Sequence, residues 1–390
     1  MTRDKIFFYI LFVIIPLYFI QGWLFGRGSI VSQTIAAIWL IIDVFYLIKY
    51  IALGQMESIG RILLIFWGLQ LVTWLLTARQ LDNMGNPLGW AGTYSLFKNI
   101  SIVLLSYFPF YILTYKNSIN EKVLKRFAIL ALICLIVAFY ISFNEMAYDN
   151  GTNEIANRGA YYLVVIIPLL GLFFDDIIEF VIYGAIAILA LIGAKRGAII
   201  CASFELLLFF YYYFKKSFKK KSSSKLVWCV VAIFALFYLL KDIYLGNEYL
   251  QTRYAQTLGG DSSLRDEIYS FALSKFINQD LFCQLFGNGM SSTLRIIGGY
   301  AHQDWLELLI NNGVIGIIVY ALVFVVLFSF FRRKRNSLIP MEKFMFLSAI
   351  IGWFTRSMFS MGYMSVETSF YVIVFGFISA KQRTQQLSIK

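Results

Sequence analysis

The sequence predicts an all-α polytopic integral membrane protein with about twelve transmembrane helices. Three observations predict it. Hydrophobic residues fill 59% of the 390 positions, charged residues only 14%, and mean hydropathy is +0.71. A soluble chain of this length lacks the polar surface to cover so much apolar material. The apolar residues also gather in runs of about 20, the length that crosses a bilayer core as a helix. Finally, the basic residues collect in alternate loops between those runs.

Taken in order, the runs are 6–25, 30–51, 60–78, 96–115, 124–143, 159–174, 177–194, 196–214, 226–244, 305–331, 342–360 and 365–380. The first follows "MTRDK" with no small-residue cleavage site behind it, which predicts a retained helix rather than a signal peptide. The sixth is short and is expected to pack against neighbours. The chain therefore divides into residues 1–245 with nine helices, a large loop at 246–301, and residues 302–390 with three more helices.

Loop 115–125 carries Lys116, Lys122 and Lys125, "KKSFKKKSSSK" at 215–225 carries six lysines, and "RRKRNSLIPMEK" at 332–343 carries five basic residues. These loops share one side if both termini are cytoplasmic. The opposite loop 144–157 has Glu145, Asp149 and Glu154 and no Lys or Arg. Topology thus explains the net charge of +12. Nucleic-acid binding does not, because the lysine runs lack interleaved aromatic residues. The four cysteines form neither a disulfide framework nor a CxxC pattern, and one histidine makes a zinc site a poor fit. No metal and no cofactor is expected.

The 56 residues 246–301 stand out on the non-cytoplasmic side. In "DSSLRDEIYSFALSKFI", Ser263 and Asp266 have capping-box spacing. Leu264, Ile268, Phe271 and Ala272 then recur as one apolar helical face. An amphipathic helix lying over the membrane part like a lid is expected. Gly287 and Gly289 in "LFGNGMSS" allow a tight turn before the chain returns to the membrane at His302.

His302 is the only histidine. A polar anchor at the membrane boundary is one account of it. The other is a general base or substrate-binding group, since an unperturbed pKa of about 6.5 suits proton transfer near neutrality. Gln303, Asp304 and Glu307 lie within a turn or two, and the carboxylates would orient or tune the ring. Lys195 and Arg196 in "LIGAKRGAII" place two cations at the outer end of two spans. Snorkelling explains them, and so does a phosphate clamp, with Gly197 letting a ligand approach the backbone. Arg158 in "IANRGAYYLVV" repeats the Arg-Gly pairing, and Arg265 would reach down from the loop helix, unless it pairs locally with Asp261. Asp43, Glu205 and Arg356 sit within spans, where ionisable residues face the protein interior, and an ion pair among them is expected. Arg356, near the outer end of its helix, is also placed to touch an outer cavity.

The order of these features resembles the O-antigen polymerase and O-antigen ligase superfamily. The resemblance rests on "AKRGA", "SSLRDEIYSFAL", "FGNGM" and "AHQDWLELLINNGVIGI", and covers about 150 residues. The family commonly has Ser where this chain has Lys195, and Asn where it has Gln303. The resemblance implies a GT-C-type architecture and a metal-independent glycosyltransferase whose donor is an oligosaccharide on undecaprenyl pyrophosphate. Arg158, Lys195, Arg196 and Arg265 would bind the pyrophosphate and His302 would act on the acceptor hydroxyl. Gln303, Asp304, Glu307 and Arg356 would be secondary. It further implies a bacterial inner-membrane location with the site facing the periplasm or exterior, membrane lipid around the chain, and a chain-length regulator and flippase as pathway partners. A ligase acting on lipid A core and a flippase for the same lipid-linked sugar stand as alternatives.

Overall fold

A computed structural model describes residues 3–25, 29–54, 56–77, 89–150, 159–173, most of 185–219, scattered positions between 234 and 255, and 265–389. Among the described residues every regular element is a helix. In chain order these are α1 (Arg3–Leu24), α2 (Ile30–Ala52), α3 (Ser58–Thr77), α4 (Gly89–Leu105), α5 (Tyr107–Tyr115) and α6 (Glu121–Asn150). Then come α7 (Ala160–Val164), α8 (Ile167–Leu170), α9 (Arg196–Lys219), α10 (Arg265–Ile277), α11 (Leu281–Phe286) and α12 (Ser292–Ile297). The last three are α13 (Asp304–Lys334), α14 (Pro340–Phe359) and α15 (Ser369–Ile389).

Seven stretches of these helices are long and apolar enough to cross a membrane. They are Arg3–Gly22, Ile30–Ala52, Ser58–Thr77, Thr93–Tyr115, Glu121–Ser142, Arg196–Tyr213 and Asp304–Lys334. Twelve were expected. The eleventh and twelfth coincide with α14 and α15, helices of 20 and 21 residues whose polar ends dilute their apolar centres. The sixth is broken into α7, α8 and a 3-10 turn at Gly171–Phe173, with Pro168 opening the second piece. Spans 177–194 and 226–244 lie largely outside the described residues. The fourth divides at Ser106, three residues before Pro109, whose missing N–H leaves the Leu105 carbonyl without its helical donor.

The centre of the bundle is α5, buried on every side from Tyr107 to Thr114 and packed against α15 and α2. In lipid, helices gain little from burying apolar surface against each other, so close approach at small residues counts for more. Gly376 on α15 does this: a Cβ there would stand 2.6 Å from the Tyr107 carbonyl oxygen. Gly352 on α14 faces the Glu205 carboxylate and Tyr371 hydroxyl just as closely. The outer helices keep an apolar face turned outward, as at Ile41, Ile48, Ile65 and Val325.

The expected ion pair among the deep ionisable residues does not form. Asp43 accepts from Ser106 Oγ at 3.2 Å, and that oxygen in turn accepts from the Trp39 indole at 3.1 Å. Glu205 accepts from Ser348 and Tyr371 hydroxyls, both at 3.1 Å. Arg356 pairs instead with Glu367. Hydroxyl groups rather than cations stand beside both carboxylates, with Asp43 Oδ1 left buried without a partner.

The large loop is ordered over 265–303. Asp280 caps α11 by accepting from the Cys283 amide at 3.0 Å, and that bond holds its carboxyl below the usual range. The lid helix α10 forms where expected, but its inward face is Ile268, Tyr269, Ala272 and Phe276. Phe271 was expected to face inward and is 46% exposed, because α10 rests on Ala301, Leu306 and Leu309 along a strip one residue away. Ser263 and Leu264 lie outside the described residues.

Candidate functional site

The return of the loop into the membrane is built around residues 287–313. Gly287 and Gly289 take φ of +80° and +93°, a region open to glycine and costly for other residues. Their turn sets the Asn288 and Gly289 amides to donate to the Ile310 and Asn311 carbonyls, each at 3.0 Å. A Cβ on Gly287 would lie 2.3 Å from the Asn311 carbonyl oxygen. Gly313, at φ +65°, interrupts α13 and meets the Leu285 backbone equally closely. The two glycines therefore let one backbone lie directly on another. The first nine residues of α13, 304–312, become a separate short helix ahead of the long one.

Polar side chains on this short helix tie the loop down. Asn311 Oδ1 accepts from Ser292 Oγ at 2.8 Å, and Asn312 Nδ2 donates to Thr73 Oγ1 on α3 at 2.6 Å. The Met290 amide donates to Thr77 Oγ1 at 2.8 Å. Glu307 is fully buried and accepts from Thr293 Oγ1 at 2.7 Å and from the Ala301 amide at 2.6 Å. The His302 amide lies against the same carboxylate. Asp304, also buried, accepts from the Tyr320 hydroxyl at 2.7 Å and the Tyr363 amide at 3.1 Å.

These bonds revise the expected roles of the two carboxylates. Asp304 and Glu307 were read as partners of the imidazole. Their hydrogen bonds fasten the backbone on either side of it. His302 itself is exposed and held at φ +54°, in the left-handed region that a histidine enters only at a cost. Gln303 is half-buried and serves as the N-cap residue of α13.

The cations approach from three other elements. Lys195 and Arg196, both half-buried, open α9. Gly197 was expected to admit a ligand to the backbone, but Tyr161 of α7 already occupies that approach, since a Cβ there would be 2.1 Å from its hydroxyl. The Arg356 guanidinium lies over the Tyr161 ring, 4.8 Å from its centroid, and pairs through Nη2 with Glu367. Its Nε and Nη1 are buried without a hydrogen-bond partner. Arg265, the first residue of α10, is within electrostatic reach of the Tyr161 hydroxyl. A Cβ on Gly362 would touch Asp304 Oδ2 at 3.0 Å and Arg356 Cγ at 3.6 Å, so the His302 hinge and the arginine group meet across one glycine.

Arg356 thus lies on Tyr161, Gly197 beside Arg196 packs against it, Arg265 is in electrostatic reach of it, and the chain carrying His302 runs beside them. Arg158 lies outside the described residues. Tyr161, Glu367, Tyr320 and Thr293 were missed in the sequence. Tyr161 alone carried a signal, standing in "RGAYYLVV" directly behind the Arg-Gly pair. Among the described residues no group of three His, Cys, Asp or Glu side chains is placed to hold a metal ion.

No protein-family model matches the sequence, and no curated protein does.

Proposed function

We propose that the chain is an O-antigen-polymerase-like glycosyltransferase, joining oligosaccharide repeat units carried on undecaprenyl pyrophosphate at the outer face of a bacterial cytoplasmic membrane. The observation that carries this reading is Arg356 on Tyr161, with the helix starts that bear Arg196 and Arg265 close to the same tyrosine, beside the exposed His302. Three guanidinium groups from three elements suit a diphosphate better than a single carboxylate, since each fork matches phosphate oxygens in pairs. Arg158 would add a fourth.

The reaction is a displacement at the anomeric carbon. An acceptor sugar hydroxyl oxygen forms the new bond to that carbon. The bond from the carbon to the pyrophosphate oxygen breaks, and its electron pair stays on the leaving undecaprenyl pyrophosphate. The hydroxyl proton passes to the His302 imidazole. The arginines neutralise the charge that develops on the leaving group, a contribution that grows as the bond breaks. A positioned base of this kind contributes roughly 100- to 10,000-fold in rate. Fixing the backbone around His302 through Glu307 and Asp304 holds the ring at the site mouth before substrate arrives.

Glycan analysis tests the reading in cells lacking the protein and complemented at matched expression with the parent chain, His302→Ala or Arg196→Ala. Surface lipid carrying a single repeat unit in the deletion, restored to a ladder only by the parent chain, is the expected result. Polymer that forms but remains on undecaprenyl pyrophosphate would identify a ligase. Donor held on the cytoplasmic leaflet would identify a flippase.

A further inference from the structure

The end of the bundle opposite His302 holds a cavity of about 730 Å³ between the start of α3, the end of α13 and the end of α15. Arg61, Arg333, Lys334 and Arg383 line it, against a single carboxylate, Glu57, 3.8 Å from Arg383. Among the described residues neither Arg61 nor Lys334 has a carboxylate in ion-pair range. Arg333 donates only to Ser58 Oγ and to the Ser329 carbonyl, each at 3.4 Å. Some cations elsewhere at this end are matched: Lys49 and Lys116 share Asp4, and Lys381 lies between Glu121 and Glu342. The cavity therefore gathers three positive charges more than its own acid offsets.

Its apolar lining narrows the ligand. Met56, Phe330 and Leu387 stand in the same wall as the cations. Arg61 also lies one helical turn from Ile65, which is 56% exposed on the outward face of α3. Arg333 ends the outward stripe Ile318, Leu322, Val325 and Ser329 of α13. Two neighbouring helices thus bring lipid-facing apolar stripes up to the rim of one cationic cavity. A small soluble anion would use the cations and leave those stripes unused.

We propose that this cavity binds the phosphate-bearing headgroup of an anionic glycerophospholipid from the adjoining leaflet, with the acyl chains lying along the outward faces of α3 and α13. Basic pockets between transmembrane helices on the positively charged side are suited to such headgroups, each nearby cation adding to the attraction. By the distribution of basic loops, that leaflet is the cytoplasmic one.

The test uses the purified full chain in a neutral detergent, titrated separately with phosphatidylglycerol, phosphatidylcholine and inorganic phosphate while the thermal unfolding midpoint is followed. Phosphatidylglycerol is expected to raise the midpoint saturably, and the other two are not. Arg61→Ala combined with Arg333→Ala removes two exposed cations and should weaken the apparent affinity roughly 10- to 30-fold. Lys122→Ala combined with Arg126→Ala, the same charge change at two exposed positions of α6 outside the cavity, should leave it within about twofold, because exposed charges away from the site are largely screened. An equal response to phosphatidylcholine or to inorganic phosphate would overturn the proposal. So would unchanged affinity in the Arg61/Arg333 double variant, or an equal loss in the Lys122/Arg126 one.

Discussion

At the end of the bundle that carries both termini, several carboxylates meet cations outside the cavity lined by Arg61 and Arg333. Asp4 holds Lys49 at 2.8 Å and Lys116 at 3.2 Å, Glu342 holds Lys381 at 2.6 Å, and Glu57 faces Arg383. At the His302 end the two buried carboxylates accept from hydroxyls and amides: Glu307 from Thr293 and Ala301, Asp304 from Tyr320 and Tyr363. Arg356 pairs with Glu367 there, and part of that guanidinium has no hydrogen-bond partner. Where charges match they join helix ends and leave little field for a ligand, and the cavity at Arg61 and Arg333 is the exception at that end. Carboxylates committed to neutral donors shape a backbone without cancelling nearby arginines. The first arrangement ties helix ends together, and the second suits the anion site proposed above.

The contrast breaks most visibly at Glu307. Glu307→Ala leaves the Thr293 hydroxyl and Ala301 amide buried without an acceptor, each costing about 1–3 kcal/mol. A loss of about 4 kcal/mol is expected in thermal unfolding of the detergent-solubilised chain, with Glu307→Gln intermediate because it keeps one acceptor oxygen. At the other end, Lys381→Met strips the cation from Glu342, which is fully buried. The loss there should be about 3 kcal/mol, at the low end for a broken buried pair, since Gln382 and the Ile339 amide still bond Glu342. Gly287→Ala should cost about 2 kcal/mol from its positive φ and its contact with Asn311, read as a lower unfolding midpoint and faster proteolysis of the loop. Asp4→Asn should change stability by no more than about 1 kcal/mol, because its partners are partly exposed.

How much of this was legible in the sequence follows the range of each interaction. Spans and their caps depend on residues a few positions apart, so hydropathy and punctuation located α1 to α6 and α13 to α15. The turn at Gly287 was legible because glycine is the residue such a backbone demands. The latch was not. Thr293 meets Glu307 only after the loop has folded back, and no spacing rule ties position 293 to 307. The misplaced Phe271 has the same origin: helical periodicity marks an apolar face, and α12 and α13 decide which strip of it is covered. Tyr161 filling the space beside Gly197 required knowing that α7 and α9 are neighbours.

The central claim is that His302 is placed for chemistry more than for stability, and His302→Gly tests it most directly. Glycine adopts φ +54° without the side chain's penalty, so the variant should unfold at the parent temperature or a few degrees above it. Polymer formation from a lipid-linked repeat unit, measured with the same purified preparation, should fall at least about 100-fold. A variant that loses stability, or one that keeps polymerising at the parent rate, would contradict the account.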